Sequence, residues 1–332
     1  MSYLRSQDVI SNAVNFISET QLPSGAIPWY QDGVTDPWDH VACAMALDTC
    51  GRFKSAERAY YWLRTIQNPD GSWWYTYRND KPEEMIKDAN HSGYIASGVW
   101  HHYLSTRNRQ FLREMWVTVE KGVNFTLSMQ QPSGEIYWAQ DVKGNPWPSA
   151  PLAGCACIWK SLHDAVKIAG ALKIKRPDWQ QAADKLLLAI KEKPGLFNTL
   201  GDNKRGFAMA WYYPILTGVS NGEQAKQQIE EQWGDFIVDE WGCKCTLDQQ
   251  WITIAETCEL IMALVKIGDR SRANMLLDWV LNQRDADGGF WTGIALPEKE
   301  IYPPGEKNTW TAASVILATM ASIGGEALSG LL

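Results

Sequence analysis

One short phrase that recurs four times constrains the fold of this chain more than any other feature. Its clearest copy, Trp62 to Trp74, reads WLRTIQNPDGSWW, in which the end of an amphipathic helix is followed by a Pro-Asp-Gly turn. Weaker copies begin at Phe16 (FISETQLPSGAIPW), Phe125 (FTLSMQQPSGEIYW) and Trp279 (WVLNQRDADGGFW). A helix-turn unit repeated along 332 residues predicts a helical repeat architecture.

The predicted helices alternate between two kinds. One kind is rich in small apolar residues on most sides, which indicates burial, and lies at about 37–50, 89–104, 152–171, 206–219, 249–267 and 308–323. The other kind carries a single apolar stripe and lies at about 2–20, 53–67, 110–130, 177–191, 223–233 and 270–284. An inner ring of buried helices wrapped by an outer ring satisfies both patterns. The sequence therefore predicts an all-α fold, a single (α/α)6 toroid of about twelve helices formed by residues 1–332.

The connections predict where a functional site lies. Those from an inner helix to the next outer helix are short, whereas those from outer to inner are long and rich in Trp, Asp, Asn and Pro. All long loops should therefore gather at one end of the barrel, over the N-termini of the inner helices. Long loops are usually functional, and helix N-termini favour anionic groups.

Acidic and aromatic residues in these loops favour a carbohydrate substrate. Two opposed carboxyl groups hydrolyse a glycosidic bond when one protonates the leaving oxygen and the other activates water or attacks directly. The acids that these loops offer include Glu135, Asp141, Glu298 and Glu306. The candidate substrate-binding residues are Trp38, Asp39, His40, Asp88, His91, Trp138, Trp147, Asp248, Glu256 and Trp291. Asp36 fits a helix N-cap and a ligand role equally well.

Composition and charge exclude several classes of function. The net charge of −7 and the absence of a basic stripe argue against a nucleic-acid partner. No stretch reaches eighteen apolar residues, so no membrane span is predicted. Seven cysteines without a disulfide-framework spacing, and an N-terminus unlike a signal peptide, predict a cytoplasmic protein. Cys243-x-Cys245 stands alone and no Gly-rich phosphate loop occurs, so we expect neither a metal nor a cofactor.

The repeat resembles that of squalene-hopene cyclases and related terpene cyclases and prenyltransferases, which are α/α toroids. YWLRTIQNPDGSWW carries this likeness, which implies the architecture. The Asp-x-Asp-Asp acid motif of those cyclases is absent, because Asp285-x-Asp287 is followed by Gly288, and the diphosphate and zinc motifs are absent too. An isoprenoid substrate, with Asp36 or Asp39 as the acid and aromatic rings stabilising carbocations, is the alternative to a sugar.

Two other segments resemble the six-hairpin, glucoamylase-like glycosidases. These segments are DPWDHVACAMALDTCGRFKSAERAYYWL and PPGEKNTWTAASVILATMA. The resemblance implies an acid before the third inner helix, where Glu135 and Asp141 lie, and a base before the sixth, where Glu298 and Glu306 lie. A glycoside hydrolase is therefore the leading hypothesis. A non-catalytic toroid that binds a glycan or a protein is a further alternative.

Overall fold

The computed structural model describes residues 3–198 and 206–324, and twelve α-helices lie within them. The inner helices are α2 (Pro37–Thr49), α4 (Ala89–Thr106), α6 (Leu152–Ala171), α8 (Ala208–Thr217), α10 (Ile254–Lys266) and α12 (Thr309–Ile323). The outer helices are α1 (Tyr3–Thr20), α3 (Phe53–Ile66), α5 (Arg109–Ser128), α7 (Pro177–Glu192), α9 (Gly222–Phe236) and α11 (Arg270–Asn282). A short 3₁₀ helix covers Pro194–Leu196.

The inner helices form a closed ring. Each packs against the next one along the chain, and α12 packs against α2. The outer helix α1 also packs against α12, which joins the two ends of the described chain. The predicted all-α (α/α)6 toroid is confirmed.

Small residues let neighbouring inner helices approach closely. Gly98 of α4 is an example, because a Cβ atom there would lie 2.6 Å from a methyl of Val41 on α2 and 2.8 Å from the ring of Tyr60 on α3. A larger side chain would separate the three helices. No helix in the described part of the chain is long and apolar enough to cross a membrane.

Short strands decorate the connections from outer to inner helices. They are β1 (Tyr77–Arg78), β2 (Lys81–Pro82), β3 (Lys87–Asp88), β4 (Ala139–Gln140), β5 (Pro146–Trp147), β6 (Ile237–Val238), β7 (Gly242–Cys243), β8 (Trp251–Thr253), β9 (Gly293–Ala295) and β10 (Glu300–Ile301). All pairings are antiparallel, in sheets of order β1-β2, β3-β4-β5, β6-β7 and β10-β9-β8. They tie neighbouring long loops into a rim at the N-terminal end of the inner ring.

One predicted helix boundary is wrong. The segment 249–253 was expected to begin the fifth inner helix, but Trp251–Thr253 forms β8, and Trp251 pairs with Ala295 of β9. Aromatic and β-branched residues favour a strand wherever a partner strand is available. The helix α10 therefore begins only at Ile254.

The repeated glutamine joins adjacent outer helices. Gln67 Nε2 donates to the carbonyl of Gly71 within its own turn at 2.9 Å and to the carbonyl of Thr118 on α5 at 3.0 Å. Gln21 and Gln130 make the same pair of bonds, to Gly25 and Ser55 and to Gly134 and Ala182. In the fourth copy Arg284 Nε donates to the Gly288 carbonyl at 2.9 Å. The repeat is therefore a structural link between turns and helices.

The turn of the repeat requires glycine. Gly71 has φ +93°, and a Cβ atom there would lie 2.2 Å from the carbonyl oxygen of Lys121 on α5. The close approach of the turn to the next outer helix is thus possible only without a side chain.

Candidate active site

A cavity of about 500 Å³ opens at the N-terminal end of the inner ring, and we name it the mouth cavity. Its walls come from loops 21–36 and 67–88 and from the first turns of α2, α4, α8 and α12. The residues that line it are Trp29, Val34, Asp36, Trp38, Asp39, Tyr75, Thr76, Glu83, Glu84, His91, Met209 and Trp310. The long connections thus converge over a space with both acidic and aromatic walls.

A second cavity, of about 370 Å³, extends from the mouth cavity towards the other end of the barrel. We name it the lower cavity; it reaches from Trp38 and Trp310 to Leu104 and Lys266 at the last turns of α4 and α10. Trp38 and Trp310 line both cavities, so their indole rings lie at the boundary between them. Glu259 lines the lower cavity close to this boundary.

Asp36 and Asp39 form a pair of carboxyl groups on the wall of the mouth cavity. Asp36 is the N-cap of α2, and its Oδ1 accepts the backbone N–H of Asp39 at 2.9 Å, while its Oδ2 accepts the indole N–H of Trp29 at 2.6 Å. Burial, the charge of Asp36 and a hydrogen bond between the two side chains raise the pKa of Asp39, and the charge of Glu259 adds to this. A carboxyl group held protonated is suited to donate a proton.

Glu259 is a buried carboxylate on α10, a helix whose other buried side chains are mostly apolar. It accepts hydrogen bonds from the hydroxyl groups of Tyr212 at 2.5 Å and Tyr213 at 3.0 Å, and from the indole of Trp310. Burial raises its pKa to about 7 despite these bonds. A carboxylate with that pKa takes up a proton efficiently at neutral pH.

Aromatic rings surround these acids. Trp38 stacks on Tyr94, with ring centroids 5.0 Å apart, and lies 5.8 Å from Tyr213. Trp38 also lies edge-on to His91, with centroids 6.4 Å apart, and Tyr75 stacks on His91 with centroids 4.9 Å apart. His91 Nδ1 is buried and has no hydrogen-bond partner among the described residues. Flat rings with intervening polar groups suit a sugar ring.

A further pair of indoles extends this wall outwards. Trp138 lies edge-on to Tyr75, with centroids 6.4 Å apart, and Trp147 lies edge-on to Trp138 at 5.1 Å. Trp147 is 37% exposed on strand β5. The aromatic surface therefore continues from the mouth cavity to the outside of the protein. Of the predicted binding residues, Trp38, Asp39 and His91 line the cavity, and Trp138 and Trp147 adjoin it.

The two candidates for the acid before the third inner helix lie away from the lining of both cavities. Glu135 occupies the position that Ala26 and Ser72 fill in other copies of the repeat, and all three are buried within their turns. Asp141 holds a turn of the β4–β5 hairpin by accepting from Lys143 N, Asn145 N and Asn145 Nδ2. The bonds from Asn145 lower the pKa of Asp141, which opposes proton donation.

The two candidates for the base, in the loop before the sixth inner helix, also do not line either cavity. Glu298 is exposed in the connection between β9 and β10. Glu306 accepts from Thr292 Oγ1 at 2.8 Å and Asn308 Nδ2 at 3.1 Å, so it fixes the loop that precedes α12. The ring of Trp291 packs under the ammonium group of Lys307, 4.2 Å from its centroid.

Three other predicted binding residues, His40, Asp88 and Asp248, do not line either cavity. His40 is buried; its Nδ1 accepts from Ile27 N at 3.1 Å, its Nε2 bonds the Ala59 carbonyl at 2.9 Å, and burial lowers its pKa to about 4. Asp88 is the N-cap of α4. Asp248 is exposed in the loop before β8.

Glu256 is buried one turn before Glu259 on α10, away from the lining of both cavities. Its carboxylate accepts hydrogen bonds from Thr253 Oγ1 and from the Cys245 thiol, and burial raises its pKa to about 7. Its charge in turn raises the pKa of Glu259. Glu256 is therefore placed to adjust its neighbour and not to contact a ligand in the cavity.

Sequence reasoning missed Glu259 and the tyrosines that bond it. Glu256 and Glu259 interrupt the same apolar helix three residues apart, so both carboxylates were visible as costly buried charges. Which of the two faces the barrel interior depends on the rotation of α10 within the ring. Among the described residues, no group of three or more His, Cys, Asp and Glu side chains has an arrangement that could hold a metal ion.

Comparison with known proteins gives three informative similarities, although no family model matches the chain. The MMP endo-(1,4)-3-O-methyl-alpha-D-mannosidase of Mycolicibacterium hassiacum is 43% identical over 305 residues, which cover 92% of this chain and 83% of that protein. A glycosidase structure has a TM-score of 0.76 at 15% identity, with 97% of each chain covered. A D-mannose isomerase structure has a TM-score of 0.72 at 12% identity, covering 97% of this chain and 98% of that one. The two structural similarities concern the fold alone.

Proposed function

This chain belongs to the glycoside hydrolase family of the M. hassiacum endo-mannosidase, and from that premise we propose that it hydrolyses internal α-mannosidic bonds in chains of methylated mannose. The substrate class comes from the relative's activity. The assignment of the reacting residues rests on the geometry of the mouth cavity and of the adjoining end of the lower cavity, where Glu259 lies. The paired carboxyl groups of Asp36 and Asp39 on the wall of the mouth cavity favour a sugar over the isoprenoid alternative.

Asp39 is the general acid in this proposal. Its proton is retained by burial and by the neighbouring Asp36 carboxylate. Asp39 donates that proton to the glycosidic oxygen as the bond to the anomeric carbon breaks, so the leaving sugar departs with a free hydroxyl group. Asp36 acts as a positioning residue, because it contacts Asp39 from the capping position of the same helix.

Glu259 is the general base. It removes a proton from a water molecule while the water oxygen attacks the anomeric carbon, and its pKa of about 7 favours that transfer at neutral pH. Tyr212 and Tyr213 hold its two oxygens in place. Proton transfer from Glu259 to solvent and from solvent to Asp39 restores the starting state. Attack by activated water inverts the configuration at the anomeric carbon.

The aromatic wall supports a chain-like, methylated substrate. A methyl ether replaces a hydroxyl donor with apolar surface, and such surface is favourably buried against indole rings. The series Tyr75, Trp138 and Trp147 runs from the mouth cavity to the exterior, which allows a chain to extend beyond the site of cleavage. An enzyme with this layout cuts within a chain instead of removing single terminal sugars.

The observation that carries the proposal is the 43% identity with the endo-mannosidase. The test is digestion of a defined α-(1→4)-linked 3-O-methylmannose oligosaccharide, with mass spectrometry of the earliest products. We expect internal fragments of several residues, and the unmethylated oligosaccharide to be cut more slowly. Release of monosaccharide only, or no cleavage of either oligosaccharide, would contradict the proposed specificity.

We further propose that the whole chain is one domain and that the enzyme works in a reducing compartment such as the cytoplasm. All seven cysteines are free, and five of them are buried, which suits a reduced state. Packing of α1 on α12 supports a single cooperative unit. A single unfolding transition that is unchanged by a thiol reductant is the expected result in a denaturant titration.

A further inference from the structure

We propose that the end of the lower cavity away from Glu259 is a second ligand site, which binds a small organic anion with an apolar body through its charged end at Lys160, Lys167 and Lys266. This inference does not depend on the proposed substrate. The volume of the lower cavity, about 370 Å³, falls within the range of small-molecule sites, about 300–1,000 Å³.

The far end of the cavity has an excess of positive charge. The Asp164 carboxylate forms ion pairs with Lys160 Nζ at 2.5 Å and with Lys167 Nζ at 3.1 Å, so one negative charge faces two positive charges. Lys266 also lines this end and donates only to the Leu216 carbonyl, at 2.8 Å, in the hydrogen bonds described. The surrounding protein and the ammonium of Lys160 lower the pKa of Lys266 to about 8, as expected where cations crowd together.

These cations are accessible from outside the protein. The side chain of Lys167 is 51% exposed and that of Lys160 is 26% exposed, whereas Asp164 is 1% exposed. Each ammonium has three donors, and the bonds to Asp164 use one from each lysine. A ligand carboxylate therefore has donors to bind at this end.

The body of the cavity is largely apolar. Its walls include Trp100, Leu104, Leu216 and Leu317, with Met45 and Met262 further in. Several polar side chains also line this space. Among them, His101 is 2% exposed, and neither ring nitrogen has a hydrogen-bond partner among the described residues, although the Asp48 carboxylate lies 3.8 Å from Nδ1. An aliphatic or aromatic body fits such walls, and a polar atom on it would satisfy His101.

The proposed anion site lies in the same cavity as Glu259 but at the opposite end of it. Glu259 and Lys266 are seven residues apart on α10, which corresponds to roughly 10 Å along the helix. Trp38 and Trp310 lie between the mouth cavity and this space. Besides Asp164, the lower cavity is lined by one further carboxylate of the described residues, Glu259. Glu259 lies at the opposite end from the lysines, so it does not neutralise them.

The test uses octanoate as the probe and methionine methyl signals as reporters. Met45 and Met262 line the lower cavity, whereas Met209 lines the mouth cavity. In the full-length protein with ¹³C-methyl methionine, we expect octanoate to shift the Met45 and Met262 signals and to leave Met209 unchanged. Octan-1-ol, which has the same chain without the charge, should bind at least tenfold more weakly.

Charge variants complete the experiment. Lys167→Glu should weaken octanoate binding at least tenfold, and Lys167→Arg should retain it. Lys175→Glu is the matched control, because Lys175 is exposed near the same end of the barrel and does not line the cavity, and it should change binding less than twofold. Absence of methyl shifts at millimolar octanoate, a shift confined to Met209, or equal losses in the Lys167→Glu and Lys175→Glu proteins would overturn the proposal.

Discussion

Asp36 holds Asp39 through both the backbone and the side chain: its Oδ1 accepts the Asp39 backbone N–H at 2.9 Å, and the two carboxyl groups share a hydrogen bond. The residue that caps helix α2 is therefore also the residue that retains a proton on its neighbour. Helix initiation and the proposed proton donation by Asp39 are therefore linked through Asp36. Substitutions that separate these two roles are informative.

Asp36→Asn separates them, because asparagine caps a helix as well as aspartate does but carries no charge. The negative charge of Asp36 raises the pKa of Asp39, so its removal should lower that pKa. Asp39 would then lose its proton at a lower pH, and the alkaline limb of the kcat/KM profile should move down by roughly 1–3 pH units. The thermal unfolding midpoint should fall modestly, because the Nδ2 group of asparagine cannot accept the hydrogen bond from the Trp29 indole. An unmoved alkaline limb would argue against Asp39 as the acid.

Glu256→Gln tests the assignment of Glu259 as the general base. The charge of Glu256 raises the pKa of Glu259, so the variant should ionise Glu259 at a lower pH. The acidic limb of the kcat/KM profile should move down, by up to about one pH unit. Glu135→Gln is the control, since Glu135 is equally buried but lies away from both cavities, and it should leave the limb in place. The same shift of the acidic limb in Glu256→Gln and Glu135→Gln would argue that the charge of Glu256 does not act specifically on Glu259.

Trp147→Ala tests the outer part of the aromatic wall. Trp147 is partly exposed and packs edge-on against Trp138, so its truncation should cost little stability. We expect KM for long oligosaccharides to rise roughly tenfold because one aromatic contact is lost. KM for the shortest cleaved substrate should be unchanged. Steady-state kinetics across a length series measures this, and equal effects at every length would contradict an extended binding surface.

Gly71→Ala tests the structural role of the repeat. Both Gly71 (φ +93°) and Gly144 (φ +85°) have a conformation that disfavours alanine, but only a Cβ at Gly71 meets another atom, the Lys121 carbonyl at 2.2 Å. Gly144→Ala should cost about 1 kcal/mol in the free energy of unfolding, and Gly71→Ala at least about 2 kcal/mol more. Urea denaturation of the two variants gives the comparison, and equal costs would mean that the turn does not press against α5.

The architecture was predictable because its signals are local. Helical periodicity, the alternation of apolar and amphipathic helices, and the lengths of connections each appear in the sequence without knowledge of distant contacts. The prediction of a glycoside hydrolase is confirmed by the relationship to the endo-mannosidase. The loop strands were not predicted, because segments such as Trp251–Thr253 adopt their conformation only against a partner from another loop.

The reacting residues were only partly predictable. Asp36 and Asp39 lie next to a recognisable helix start. Asp39 was predicted to bind substrate and Asp36 to be an N-cap or a ligand, and either was predicted as the acid only for an isoprenoid substrate. Glu259 was not predicted, since its exposure to the cavity is set by how α10 is rotated in the ring and by Tyr212 and Tyr213 on α8. The glucoamylase-like resemblance directed attention to the loops before the third and sixth inner helices. We propose instead the first turn of α2 and the middle of α10.

The most direct test of this account is the turnover number of four variants on a cleavable methylmannose oligosaccharide. Asp39→Asn and Glu259→Gln should each lower kcat by roughly 10²–10⁴-fold, the usual contribution of a general acid or base. Glu135→Gln and Glu306→Gln should retain kcat within about twofold. If Asp39→Asn or Glu259→Gln kept wild-type turnover, or if the losses fell on Glu135→Gln and Glu306→Gln, the assignment of the acid and base would be wrong.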